Sequence, residues 1–73
     1  MKEIISQIIP TTIHHPAIGI LYSVFFESGN HKLLYEETFY HQFEDYTSPK
    51  ELVGRELDFT RIFFDEVEIN HSY

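Results

Sequence analysis

The sequence predicts a mainly β fold with one short helix, that is, a small α+β domain. Period-two alternation of apolar residues and a wealth of β-branched and aromatic side chains predict the strands. A chain of 73 residues supplies material for a single core, so we expect one domain over residues 1–73. The predicted order is β-β-β-α-β, with an optional further strand. That order suits a strongly bent antiparallel sheet or a five-stranded small barrel.

The first predicted strand runs from Glu3 to Ile13. Four isoleucines between positions 4 and 9 repeat at helical spacing, so a short amphipathic helix is the alternative. The density of β-branched side chains favours a strand, and Pro10 would stop a helix before it gained length. Because sheet edges tolerate proline, we expect an edge strand.

The next two segments predict a β-hairpin. From Ile18 to Glu27, apolar residues fall on both alternating faces, which is typical of a central strand covered on both sides. The sequence Ser28-Gly29-Asn30 predicts a tight turn, since Gly and Asn accept the backbone conformations that hairpin loops demand. The returning strand is predicted from Lys32 to Tyr40.

A helix start is predicted at Ser48. Ser48 is a good N-cap, Pro49 suits the first helical position, and Glu51 stands where a capping box requires an acid. Gly54 is expected to end this helix after about one and a half turns.

The chain beyond Gly54 allows two interpretations. The helix could continue to about Val67, because apolar residues there fit one helical stripe. Alternatively, residues 57–69 form strands with a bulge or turn near Arg61. The run from Phe59 to Phe64 is poor in helix formers, so we predict strands.

Charge is distributed unevenly along the chain. The whole sequence has 12 Asp and Glu against 5 Lys and Arg, for a net charge of −7. Acids and bases cancel in residues 1–35, so residues 36–73 carry the entire excess. Such a field repels phosphates, so we expect neither direct nucleic-acid binding nor adhesion to an anionic membrane. The simplest alternative is that acidity only keeps the domain soluble.

The sequence has no cysteine, no apolar run of membrane-spanning length and no secretory-signal pattern, so we expect a cytoplasmic protein. His14 and His15 would point to opposite faces of a strand, and no histidine spacing typical of a metal site occurs. Paired carboxylates also face apart on strands, and no nucleophile elbow or phosphate loop is present. We therefore predict no metal, no cofactor and no enzymatic activity.

Aromatic residues are abundant, with seven Phe and five Tyr. Tyrosine buries a large area at low rotamer cost and is common in protein interfaces. The alternative is that these rings are simply core. In the predicted partner-binding set, acidic residues lie between tyrosines. The set is Tyr35, Glu36, Glu37, Tyr40, Glu44, Asp45 and Tyr46.

These patterns predict a non-catalytic, acidic protein-interaction module. Its partner would be a protein with a basic surface, or a second copy in a homodimer, bound through residues 35–68. A sharper hypothesis is an inhibitor whose carboxylates imitate nucleic-acid phosphates and occupy the channel of a nucleic-acid-handling protein. The alternative function is a small-molecule- or metal-binding small barrel that uses the barrel mouth or His14, His15 and His41.

Overall fold

The computed structural model describes residues 1–61. Four antiparallel strands form one strongly curled sheet, a half-barrel, in the order β3-β2-β1-β4. The strands are Lys2–His15 (β1), Gly19–Phe26 (β2), His31–Tyr35 (β3) and Glu56–Asp58 (β4). The helices are Glu36–Gln42 (α1) and two 3-10 helices, Pro49–Leu52 and Phe59–Arg61.

The predicted fold class is confirmed, because the sheet dominates and is strongly bent. Of the two interpretations after Gly54, the strand is confirmed at Glu56–Asp58, and the chain then turns in the 3-10 helix Phe59–Arg61. The optional fifth strand falls on residues 62–73, outside the described residues.

β1 is a strand as predicted, but it is an edge strand over only part of its length. Residues 2–4 pair with β4, which places β1 between β2 and β4 in the strand order. From Ile5 to His15 the strand pairs with β2 across two irregularities of register. Within residues 1–61, no other strand flanks that longer part. Pro10 lies on it, as expected for a proline at an edge.

The predicted β2–β3 hairpin is confirmed, with register running from Leu21 opposite Tyr35 to Phe25 opposite His31. Its turn contains Gly29 at φ +95°, a conformation that side chains disfavour. The carboxylate of Glu3 on β1 accepts hydrogen bonds from the Ser28 hydroxyl and from the Asn30 amide. The Glu3 side chain on the neighbouring strand β1 therefore helps to hold the turn in place.

The predicted third strand was wrong beyond Tyr35, because residues 36–42 form α1. Phe39 and Phe43 follow Tyr35 at four-residue intervals, which is helical spacing. Glu36 and Glu37 occupy the first turn, where carboxylates favour the positive end of the helix. The Glu37 N–H donates to the Ile18 carbonyl at 3.1 Å, so the helix start is tied to the end of the β1–β2 connection.

The helix predicted at Ser48 is present as the 3-10 helix Pro49–Leu52. The Ser48 side chain makes no capping hydrogen bond there; instead the Thr47 hydroxyl bonds to the Glu51 carboxylate. Leu52 is fully buried. The chain around this short helix is held to the sheet by the buried Leu52 side chain and by backbone hydrogen bonds of Gly54 and Arg55 with Ile5.

The main core joins the sheet to the segment that follows β3. A smaller cluster of Ile18, Leu21 and Tyr35 is also buried, so the second face of β2 is covered at Leu21 and only half-buried at Ser23 and Phe25. The main core consists of Ile5, Tyr22, Val24, Phe26, Leu34, Phe39, Phe43, Leu52 and Leu57.

Candidate interaction face

α1 directs its side chains in two opposite directions. Thr38 and Phe39 are fully buried, and the Phe39 ring lies 5.5 Å from the ring of Tyr22 and 5.7 Å from that of Tyr46. Tyr40, the next residue, is 55% exposed. Its outer position follows from helical geometry once Phe39 is fixed in the core.

Glu36 and Tyr46 form a hydrogen-bonded pair behind the outer surface of α1. The Tyr46 hydroxyl donates to Glu36 Oε2 at 3.0 Å. Burial, followed by this hydrogen bond to Glu36, raises the pKa of Tyr46 above its ordinary value. Burial is also the first cause of the raised pKa of Tyr22, with the Glu36 charge second. The Glu36 side chain therefore lies close to two phenols, Tyr46 and Tyr22, whose pKa values are raised.

Gly19 makes room for Glu36. A Cβ at position 19 would lie 2.8 Å from Glu36 Oε1 and 3.0 Å from Glu36 Cβ. Gly19 also has φ +86°, which L-residues with side chains rarely adopt. The first residue of β2 thus has to be small for the helix start to sit where it does.

Tyr40 and Tyr46 form an edge-to-face pair with ring centroids 4.7 Å apart and planes at 81°. Such a geometry is favourable for aromatic rings. Tyr46 is itself fixed by Phe39 and Glu36, so the exposed ring of Tyr40 rests on an ordered neighbour.

The remaining acids lie on the outer side of α1 and just after it. Glu37 is 3.7 Å from His41 Nε2, one helical turn away. Asp45 accepts two hydrogen bonds from Arg55 Nη1, each 3.0 Å long, and the hydrogen bond from Arg55 lowers the pKa of Asp45. Glu44 is exposed. We call the set of Glu37, Tyr40, Glu44 and Asp45 the acidic face.

Of the seven predicted partner-binding residues, the structure brings Glu36, Tyr40 and Tyr46 into one contact network. Tyr35 is only 5% exposed, and its ring packs 5.9 Å from that of His15 in the smaller cluster, so it offers a partner almost no surface. The predicted face also extended beyond Arg61, and that part lies outside the described residues.

Sequence reasoning missed two residues of this network, Gly19 and Tyr22. Both precede α1 by more than ten positions, and their closeness to Glu36 depends on how the sheet curls. A signal for α1 itself was present in the four-residue spacing of Tyr35, Phe39 and Phe43.

The histidines have separate surroundings. His15 Nδ1 accepts a hydrogen bond from the Ala17 N–H at 3.1 Å, and the ring of His31 stacks on Phe25 at 4.5 Å. Over residues 1–61, no three His, Asp or Glu side chains gather in a group able to hold a metal ion. Over the same residues, the helices are too short and too polar to cross a membrane.

Comparison of the chain with protein-family models, with curated proteins and with solved structures finds no match. The acidic face is therefore interpreted from its own geometry and charge.

Proposed function

We propose that the protein is a non-catalytic interaction module that binds a basic protein surface through the acidic face. The observation that carries the proposal is the position of Tyr40, an exposed ring supported by Tyr46 and bordered by carboxylates on both sides along the chain. Interfaces favour such a combination, because a rigid aromatic anchor contributes affinity while the charges around it select the partner.

Electrostatics supports a basic partner. Residues 36–61 contain seven acids and three bases, whereas residues 1–35 are balanced. Positions 37, 40 and 41 share one side of α1, so the charge of Glu37 and the ring of Tyr40 can meet the same partner surface. Glu44 and Asp45 follow α1 in the chain and are exposed, and Asp45 is bound to Arg55.

Preorganisation supports the anchor role of Tyr40. Binding immobilises side chains at a free-energy cost, and that cost is smaller when a ring is already ordered. Tyr46 restricts Tyr40 before any partner arrives, and the Glu36 carboxylate restricts Tyr46. The partly buried pair of Glu36 and Tyr46 thus favours binding by restricting Tyr40.

Among basic partners, we favour a nucleic-acid-handling protein, whose positively charged channel the carboxylates would occupy in place of phosphates. The module would then act as an inhibitor by charge mimicry. The charge asymmetry of the chain supports this choice of partner, because the whole net charge of −7 lies after residue 35.

The proposal is tested by titrating the full chain with a short lysine-rich peptide and comparing Glu44→Gln with Glu27→Gln. Both residues are exposed, and each substitution removes one negative charge, but Glu27 lies at the end of the β2 strand, away from the acidic face. We expect Glu44→Gln to weaken binding about two- to fivefold and Glu27→Gln to have little effect. Raising salt from about 50 mM to about 200 mM should weaken binding of the unmodified chain.

A second pair of variants tests the aromatic anchor at constant charge. Tyr40→Ala should weaken binding about tenfold, whereas Ile13→Ala, at a residue of β1 that is 50% exposed, should not. Equal losses for Glu44→Gln and Glu27→Gln, or for Tyr40→Ala and Ile13→Ala, would reject the acidic face as the binding surface.

A further inference from the structure

A polar cleft of about 450 Å³ lies between the end of α1 and the β1–β4 edge of the sheet. This volume is within the range typical of sites for small molecules. Three cations line the cleft: Lys2 on β1, Arg55 just before β4, and Arg61 at the end of the last described helix. The complete chain has only five Lys and Arg, so an acidic protein gathers most of its positive charge here.

Two of the three cations form no close ion pair among residues 1–61, although the charge of Lys2 acts on the Asp58 carboxylate, its partner in the β1–β4 ladder. Lys2 forms no ion pair there, and Arg61 donates only to the main-chain carbonyl of His41, at 3.1 Å. Arg55 uses Nη1 for both bonds to Asp45, and its guanidinium lies 4.7 Å from the Phe43 ring centroid. Such a guanidinium keeps other N–H donors for an additional acceptor.

The carboxylates at the cleft only partly oppose this positive charge. Asp58 accepts hydrogen bonds from the Thr60 N–H and hydroxyl and lies 3.8 Å from the N-terminal ammonium. Glu56 is the other lining acid, and it is exposed. The lining thus holds three cations against two carboxylates, with Asp45 also bound to Arg55, so the cleft lacks the negative excess of the chain as a whole.

The wall of the cleft is fixed by the side-chain amide of Gln42. Its Oε1 accepts a hydrogen bond from the Asp58 N–H at 2.8 Å, and its Nε2 donates to the Asp58 carbonyl at 2.8 Å. The same Nε2 also lies 3.3 Å from the Arg61 carbonyl. These bonds join α1 to β4 and to the helix after it, so the backbone that carries Arg61 is held next to β1.

From these observations we propose that the cleft binds a small anion with two or more acidic groups, such as a diphosphate or a di- or tricarboxylate. Arginine forks and lysine ammonium groups are the side chains that proteins use to hold phosphates and carboxylates. Several cations around a cleft of this size match several charges on one ligand. Arg55 joins the cleft to the acidic face through Asp45, but Lys2 and Arg61 do not belong to that face, so their variants test the cleft separately.

The test is isothermal titration of the full chain with inorganic pyrophosphate and, separately, with citrate. The variants are Lys2→Gln and Arg61→Gln, and the matched control is Lys50→Gln, which removes one positive charge from an exposed residue outside the cleft. Each cleft variant should weaken binding about five- to tenfold, and the control less than about twofold. Thermal melting of every variant shows whether it is folded, and Lys2→Gln serves should Arg61→Gln fail to fold.

Tighter binding of pyrophosphate than of citrate would assign phosphates to the cleft, and the reverse order would assign carboxylates. Binding of neither anion by the unmodified chain at about millimolar concentration would overturn the proposal. An equal loss in Lys50→Gln would overturn it as well, since the effect would then come from net charge alone.

Discussion

The three-stranded part, residues 2–35, and the segment that follows it, residues 36–61, are stabilised in different ways. Strands β1, β2 and β3 pair over long registers, and their charged residues balance. The later segment contributes only three strand residues, Glu56–Asp58, and carries the net negative charge. Four of its side chains are fully or almost fully buried in the main core, namely Phe39, Phe43, Leu52 and Leu57.

The three-stranded part therefore acts as the scaffold, and the later segment supplies the outer surface. In the three-stranded part, backbone hydrogen bonds are spread over many residues, so no single side chain defines the pairing. In the later segment, a few buried anchors and polar links such as Glu36–Tyr46 hold the chain. Its other positions are left free to carry carboxylates and Tyr40. The acidic face lies in this segment, which also supplies two of the three cations of the cleft, Arg55 and Arg61.

The largest expected loss of stability follows substitution of Phe39, the buried residue that fixes α1 to the core. Phe39→Ala should lower the free energy of unfolding by about 3–5 kcal/mol, because the ring is fully buried and its removal leaves a cavity. Urea denaturation measures the loss. A domain this small has little stability to spare, so Phe39→Leu, with an expected cost of about 1–2 kcal/mol, serves if the alanine variant does not fold.

Tyr40→Ala is the matched control, because it truncates an aromatic residue in the same turn of α1. With more than half of its surface exposed, Tyr40 should contribute about 1 kcal/mol or less. Similar losses at both positions would mean that α1 is not anchored by Phe39, and the contrast between buried anchors and a free outer surface would fail.

A smaller effect is expected at Gly19, where the two parts of the molecule meet. Gly19→Ala should cost about 2–3 kcal/mol, partly from positive φ and partly from the close approach to the Glu36 carboxylate. Gly29→Ala is the control: φ there is also positive, but no atom lies near the added Cβ, so about 1–2 kcal/mol of strain is expected.

The difference in free energy of unfolding between Gly19→Ala and Gly29→Ala should become smaller when Glu36 is replaced by Ala. The Glu36 Cβ remains 3.0 Å from the added methyl, so the difference should narrow rather than disappear. If the difference stays constant in a double-mutant cycle measured by urea denaturation, the approach to the Glu36 carboxylate does not contribute to the cost.

The three-stranded part was predictable because its signals are local. Alternation with period two marks β2, and Ser28-Gly29-Asn30 marks the turn. The prediction failed at residues 36–40 because the apolar residues there fit both the repeat of a strand and the repeat of a helix. Leu33, Tyr35 and Phe39 fit a continued strand face, while Tyr35, Phe39 and Phe43 fit a helix. The curled sheet needs a cover for its core side, and this tertiary requirement selects the helix.

The candidate site was predictable in composition but not in contacts. The concentration of acids and tyrosines after residue 35 is visible in the sequence. The burial of Tyr35 depends on which face of β3 meets the Ile18 cluster, and the approach of Gly19 to Glu36 joins residues seventeen positions apart. Cleft formation likewise requires Lys2 and Arg61, at opposite ends of the described chain, to meet across the β1–β4 pair.

The smallest expected effect concerns the Tyr46 hydroxyl, which belongs to the polar links of the later segment. Tyr46→Phe removes the hydrogen bond to Glu36 and should lower the free energy of unfolding by about 1 kcal/mol near neutral pH. The ring itself stays in place against Phe39 and Tyr40, so packing is preserved.

The dependence on pH distinguishes this link from a loss of packing. In the unfolded chain Tyr46 ionises near its ordinary pKa of 10.0, whereas in the folded protein its pKa is higher, so the folded state retains the proton. Above pH 10.0 the unfolded state binds fewer protons, and stability must fall as pH rises. Tyr46→Phe lacks this group and should lose stability less steeply in urea denaturation between about pH 8 and about pH 11. Tyr22, whose pKa is also raised, contributes to the slope that remains. Parallel pH curves for both proteins would show that the Tyr46 hydroxyl is as well solvated in the folded chain as in the unfolded one, and Glu36 would then not fix the ring beneath Tyr40.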